Sequence, residues 1–197
     1  MKENSHVVII AGPNGAGKST SSKHLLRDLG IPQYVNADKI AEGLSQLEPD
    51  KAALQAGRFM LSHIKELARR KDNFAFETTL ASRSFAPWIK KLCDDGYQFH
   101  LIYLWLPNED FAVKRVENRV KMNGHNVPED VIRRRYHAGI RNFFSLYKQL
   151  AKTWYFIDNS LKNPQLIAFG NGKKDAVVEN PKLWQHIREV YDEKRKA

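Results

Sequence analysis

The stretch HVVIIAGPNGAGKST, residues 6–20, constrains this chain more than any other. A short apolar run rich in β-branched residues passes into glycines and then into residues that suit a helix, which predicts a buried strand, a tight turn and a helix. Within it, Gly12-Pro13-Asn14-Gly15-Ala16-Gly17-Lys18-Ser19 fits the phosphate-loop pattern G-x-x-x-x-G-K-[ST] at every position. The glycines let backbone N–H groups converge on phosphate oxygens without side-chain clash, and the helix that follows adds its positive end. Lys18 is expected to reach the β- and γ-phosphates and Ser19 to ligate Mg²⁺; Thr20 is the next helical residue. ATP or GTP binding follows from the loop. Whether the phosphate is transferred, hydrolysed or only held must be decided elsewhere in the chain.

Strand and helix patterns then alternate. Strands are expected at HVVIIAG, QYVNAD, NFAFET, YQFHLIYLWLP and WYFID. Helices are expected over 18–29, 50–70 and 85–94, the last closed by Asp95-Gly96. Asn108 suits the cap of a further helix reaching about Met122, with Val113, Val116 and Val120 inward. Pro128 suits the start of a long helix to about Lys152, with Ile132, Tyr136, Ile140, Phe143 and Tyr147 toward the core. A hairpin turning at 170–173 and a closing amphipathic helix from Pro181 follow. Five strands separated by helices imply a parallel sheet with right-handed crossovers, an α/β three-layer sandwich. At 197 residues a single domain over 1–197 is expected, with a basic lid at 115–141 and a C-terminal hairpin and helix at 161–195.

Lys and Arg number 32 against 22 Asp and Glu, a formal charge of +10 that suits polyanionic partners. No regularly spaced exposed aromatics form a stacking platform for nucleic acid; FFSLY and WYF read better as core. The single cysteine, Cys93, excludes an internal disulfide, and the seven histidines show no metal spacing. No stretch approaches the roughly 20 apolar residues that span a bilayer, so a cytoplasmic protein without membrane contact is expected.

Two carboxylates stand where strands end, the edge at which open α/β sheets bind ligands. Asp38 reads either as the cap of a helix beginning near Lys39 or as a general base that takes a proton from an acceptor hydroxyl. Glu77 ends an apolar run, and reads either as the acidic residue that holds Mg²⁺ and its waters or as a structural carboxylate bonded to Thr78 or Thr79. Residues 115–141, RVENRVKMNGHNVPEDVIRRRYHAGIR, place Arg115 and Arg119 on one helix face and fan Arg133, Arg134 and Arg135 around the exposed arc of the next. They form either a solvated basic surface or a lid whose cations meet the charge of a transferring phosphoryl group.

The ordered set GPNGAGKST, VNADKIAEGL, FETTL, LWLP, RVENRV, GHNVPEDVIRRRY and DNS, from about Val7 to Ser160, resembles the zeta-toxin-like P-loop kinases. The resemblance implies an adenylate-kinase-like core with five parallel strands in the order 2-3-1-4-5. Characterised toxins of the family use ATP to phosphorylate a sugar hydroxyl of UDP-N-acetylglucosamine. Carried over by motif, Asp38 is the catalytic base, Lys18 and Ser19 bind phosphate and Mg²⁺, and Glu77 and Thr79 line the acceptor site. Arg119, Arg133, Arg134 and Arg135 are the candidates acting on the γ-phosphate, and Asn159 lies near the adenine. In the toxins the glutamate is followed by Gly-Thr-Leu-Arg; here Thr78-Thr79-Leu80-Ala81 follows Glu77, so that arginine is lost and Arg83 stands as its substitute. The expectation is an ATP- and Mg²⁺-dependent kinase acting on a small-molecule hydroxyl, with an antitoxin-like protein as a partner the family brings into view. A nucleic-acid-directed kinase or binder and a regulatory NTP-binding protein without phosphotransfer are the alternatives.

Overall fold

The computed structural model describes residues 5–44, 49–122, 124–172 and 174–192. Every residue from Val7 to Ala11 is at most 1% exposed, as a strand covered by helices on both faces requires. This strand, β1 (His6–Ala11), pairs in parallel with β3 (Phe74–Thr78) on one side and β4 (Gln98–Trp105) on the other. The short β2 (Gln33–Val35) lies outside β3, and β5 (Thr153–Asp158) lies outside β4, both again parallel.

The sheet continues past these five. An antiparallel hairpin, β6 (Gln165–Asn171) and β7 (Lys174–Val178), joins the edge of β5 and gives the order β2-β3-β1-β4-β5-β6-β7. The expected five-stranded, all-parallel sheet is thus corrected to a mixed one. The physical reason lies after Asp158: no crossover helix separates β5 from β6, and a chain that returns by a short connection must run antiparallel. Lys173, at the hairpin turn, and the residues beyond Asp192, where the closing helix was expected to continue, lie outside the described residues.

Among the described residues, seven α-helices cover the two faces: α1 (Lys18–Asp28), α2 (Ala37–Glu42), α3 (Pro49–Arg69), α4 (Phe85–Asp94), α5 (Glu109–Lys121), α6 (Glu129–Asn142) and α7 (Pro181–Tyr191). The side chain of Asn108 accepts from Phe111 N at the start of α5, as expected of a cap. Val120 is instead exposed, because the last turn of α5 runs past the sheet that buries Val113 and Val116. The long helix expected from Pro128 to Lys152 is broken. After α6 the chain widens into a π-helical turn, Phe143–Tyr147, then tightens into a 3₁₀ turn, Lys148–Leu150. The wide turn lets two consecutive aromatic rings both face inward: Phe143 packs against Tyr103, Trp154 and Phe156, and Phe144 against Phe156 and Trp184.

Lys148 is buried over the ring faces of Trp154 and Trp184, and pairs with Asp175 at 2.5 Å. Arg188 of α7 reaches the other oxygen of the same carboxylate at 2.9 Å. Burial opposes the charge on Asp175, but hydrogen bonds from Lys148 and Trp184 and the two cations outweigh it and hold the carboxyl below its ordinary value. One carboxylate therefore fastens hairpin, helix and 3₁₀ turn together. Among the described residues, no helix is long and apolar enough to cross a membrane.

Candidate active site

The loop Gly12–Ser19 leaves the C-terminal end of β1, and its glycines are dictated by crowding. Gly12 has φ 144°, and a Cβ there would lie 2.3 Å from the backbone oxygen of Leu104. A Cβ on Gly17 would lie 2.8 Å from Asn159 Nδ2. Asn159 is buried, donates from Nδ2 to Ala16 O at 2.7 Å, and is tied by its own N–H to Trp105 O. The amide nitrogen thus braces the backbone of the phosphate loop. Lys18 opens α1, and its Nζ donates to Gly12 O and Pro13 O at 3.0 Å each. Burial pushes the Lys18 ammonium below its ordinary pKa, against the pull of the Glu77 and Asp38 carboxylates. Asn14 is buried with an unpartnered Oδ1 toward the same space, whereas Thr20 lies exposed on α1.

The helix at Asp38 is capped by Asn36 and not by Asp38 itself. Asn36 Oδ1 accepts from Asp38 N at 2.8 Å and Lys39 N at 3.4 Å, at the start of α2. The Asp38 carboxylate has no capping duty. From its other end Asn36 donates to Ser19 Oγ at 3.1 Å, and Ser19 Oγ donates to Glu77 Oε2 at 3.0 Å. Glu77 is 8% exposed, and its Oε1 has no hydrogen-bond partner among the described residues. Burial raises its pKa, opposed by the Lys18 charge and the Ser19 hydrogen bond. The structural reading of Glu77 finds no support, since Thr78 Oγ1 is engaged by Leu80 N instead. An unpartnered buried carboxylate oxygen beside a serine hydroxyl suits a hydrated Mg²⁺. Among the described residues no group of three or more His, Cys, Asp or Glu gathers as a metal site.

A cleft of about 280 Å³ joins these groups, with Lys18, Asp38, Glu77, Thr79 and Arg135 on its walls. Burial and the neighbouring Arg134 push the Arg135 guanidinium pKa down, while Asp38 draws it up. The three consecutive arginines part company at 100° per residue. Arg133 turns away from the cleft into Asp110 at 2.6 Å, Glu129 at 2.8 Å and Glu109 at 3.9 Å, so its expected place at the γ-phosphate is corrected. Arg134 lines a separate cleft together with Arg83. Arg119 donates to His125 O at 2.6 Å, folds over Gly124 and contributes its charge to the surroundings of Lys18.

The far wall is the segment 79–82. Leu80 has φ 60°, a strained value for a branched residue. It is held from α6 and the π-helical turn: Asn142 Nδ2 donates to Leu80 O at 2.9 Å and Ala81 O at 3.0 Å, and Tyr147 Oη donates to Ser82 O at 2.7 Å. Gly139 lets the two backbones touch, since a Cβ there would lie 2.4 Å from Thr79 O. The inward face of α6 is core, as expected of Ile132, Tyr136 and Ile140, and Gly139 and Asn142 are buried with them.

The family described as AAA domain (AAA_33) matches residues 7–143, from β1 through α6. The chain belongs to this family. A cytidylate kinase of Ignicoccus hospitalis is 34% identical over 150 residues, covering 72% of this chain and 80% of that protein. The AvrRxo1-ORF1:-ORF2 complex with ATP superposes with a TM-score of 0.70 at 14% identity, over 93% of this chain and 63% of that one. This AAA domain chain thus spans less than two thirds of that neighbour's length. The PezAT chromosomal toxin-antitoxin system of Streptococcus pneumoniae gives a TM-score of 0.61 at 12% identity, over 99% and 87% of the two chains. The fold is that of a P-loop kinase-like nucleotide-binding domain.

Three residues of this AAA domain site carry roles that the sequence reading did not assign. Asn36 stands within VNADKIAEGL, two residues before Asp38, and an Asn directly ahead of a short helix is the mark of its capping role. Asn142 and Gly139 look like ordinary helix positions; their meaning arises only from contact with a segment some 60 residues earlier in the chain.

Proposed function

We propose that this protein is an ATP-dependent kinase that transfers the γ-phosphate to a hydroxyl of a small molecule. The observation that carries this reading is the Asp38 carboxylate, released from capping by Asn36 and sharing one cleft with Lys18 and Glu77. In the transfer, the acceptor oxygen attacks the γ-phosphorus while Asp38 takes the hydroxyl proton. The bond from the γ-phosphorus to the bridging oxygen breaks, and ADP leaves.

Backbone N–H groups of the loop 12–19 cradle the phosphates. Lys18 exchanges the carbonyls of Gly12 and Pro13 for β- and γ-oxygens. Ser19 and Glu77 would hold Mg²⁺, which would supply charge neutralisation at the phosphates. Arg135, with Arg119 behind it, offsets charge on the moving group. Thr79 lines the acceptor side. The zeta-toxin-like motifs support a nucleotide sugar such as UDP-N-acetylglucosamine as one acceptor, and the description of the PezAT neighbour as a toxin-antitoxin system brings in an antitoxin-like protein as a partner.

Labelled ATP with Mg²⁺ and a panel of UDP-sugars, nucleosides and sugars tests the reading. One class of acceptor is expected to take the label. Asp38→Asn is expected to slow transfer by about 10²–10⁴-fold with ATP affinity retained. Label released only as inorganic phosphate, at the same rate in Asp38→Asn, would replace the kinase by an NTP-hydrolysing switch.

A further inference from the structure

Tyr103 of β4 is fully buried, and its hydroxyl has no partner among the described residues. The ring cannot swing to find one. It stacks on Phe156 at 5.0 Å and packs against Phe143 at 5.3 Å, and β4 is paired on both sides. Two further tyrosines stand near it, and both are engaged: Tyr136 donates to Leu106 O at 2.7 Å, and Tyr191 Oη lies 2.9 Å from His137 Nδ1. A buried donor left unpaired is a cost to the folded state, and such costs call for a functional account. A second cost lies beside the first. A Cβ on Gly139 would stand 3.0 Å from Tyr103 Oη and 2.4 Å from Thr79 O, so a hydroxyl and a carbonyl face the same glycine without bonding to each other. That carbonyl leads into Leu80, the residue held at φ 60°.

The two costs have one remedy. Tyr103 is fixed in the sheet, whereas Thr79 belongs to no strand or helix, and its segment hangs on α6 through Asn142. Arg135 of the same helix faces the cleft that holds Lys18. A γ-phosphate in that cleft attracts the guanidinium, and a shift of α6 moves Thr79 O against a hydroxyl that stays in place. We propose that Tyr103 is a positioning residue: its hydroxyl bonds to Thr79 O when a γ-phosphate occupies the cleft, and fixes the wall at Thr79 in its working place. The inference rests on the γ-phosphate lying beside Lys18 and Arg135, and not on its transfer. Tyr103 then distinguishes ATP from ADP without touching either.

Fluorine NMR of the full chain, with 3-fluorotyrosine at its seven tyrosines, reads the hydroxyl. The Tyr103 signal is the one missing from Tyr103→Phe. It is expected to move with Mg²⁺ and a saturating non-hydrolysable ATP analogue, and to stay in place with Mg²⁺ and ADP. In Arg135→Ala saturated with the analogue it is expected to stay in place as well. Tyr103→Phe keeps the ring and loses only the unpaired hydroxyl, so its nucleotide-free Tm should equal or exceed that of the parent. Its affinity for the analogue, by calorimetry, should fall roughly three- to tenfold, the worth of one hydrogen bond, with ADP affinity unchanged. A signal that moves equally with ADP, survives Arg135→Ala or never moves overturns the inference. So does a Tm that falls together with both affinities, the mark of a hydroxyl already paired at rest. Failure of the kinase reading looks different. Label passed to an acceptor while the Tyr103 signal stays still removes the inference and leaves the kinase. A signal that moves with the analogue while no acceptor takes label leaves the inference and removes the kinase.

Discussion

Gly12 and Gly139 stand behind opposite walls of one cleft, and at each a methyl group has no room: 2.3 Å from Leu104 O at Gly12, 2.4 Å from Thr79 O at Gly139. The donor wall around Gly12 is nearly contiguous in sequence, with its loop, lysine and serine inside residues 12–19. The opposite wall, which the kinase reading gives to the acceptor, is assembled from segment 79–82 and from α6 with its π-helical turn, with partners 62 residues apart where Asn142 meets Leu80. A wall built locally is specified by a motif. A wall built at long range is specified by complementary shapes that no short pattern carries.

The largest effects should follow that division. Gly12→Ala is expected to abolish nucleotide binding, seen by calorimetry with ATP. Gly139→Ala is expected to keep ATP binding while lowering kcat/KM for the acceptor by about 10²-fold, since displacement of a supporting segment by an ångström has that order of effect. If each variant loses both substrates alike, the two walls are not separable.

A smaller effect concerns Glu77. Its carboxyl is raised above the ordinary value, so the folded state holds that proton more tightly than the unfolded chain does. Stability of the nucleotide-free protein should fall as pH rises from the unfolded value of 4.5 through the raised one. Glu77→Gln should remove this slope in thermal melts and weaken the Mg²⁺ dependence of ATP binding; a slope that persists in the variant belongs to another group. The smallest effect is expected at Arg133. Arg133→Ala should barely move Tm or either KM, because its partners are largely solvated. Arg135→Ala, two residues on, should cost kcat. Equal losses in the two variants would erase the distinction between the cleft and its surroundings.

These contrasts mark what was legible in the sequence. The phosphate loop, the strand before it and the helix after it are periodicity and glycine chemistry, and both can be read locally. The alternation of Phe74, Ala75 and Phe76 into Glu77 likewise marks a buried strand that ends on a carboxylate. The hairpin at the β5 edge was visible as a hairpin; its joining the sheet was not, since edge pairing depends on which neighbour is left open. The break after Asn142 was hidden because Phe143 and Tyr147 already satisfy a helical period, and only Phe144 demands the wider turn. The fates of Arg133, Arg134 and Arg135 were equally closed: three identical letters differ only in what stands opposite each on a helix.

Asn142 joins one amide to two carbonyls of the segment 79–82, while Arg135 projects from the same helix toward the phosphate loop's cleft. A helix fastened in this way transmits displacement. On the kinase reading, a movement of α6 on meeting the γ-phosphate would be carried to the opposite wall, and the two substrates would sense each other through that helix. By reciprocity, whatever ATP does to acceptor affinity the acceptor must do to ATP affinity, by the same factor.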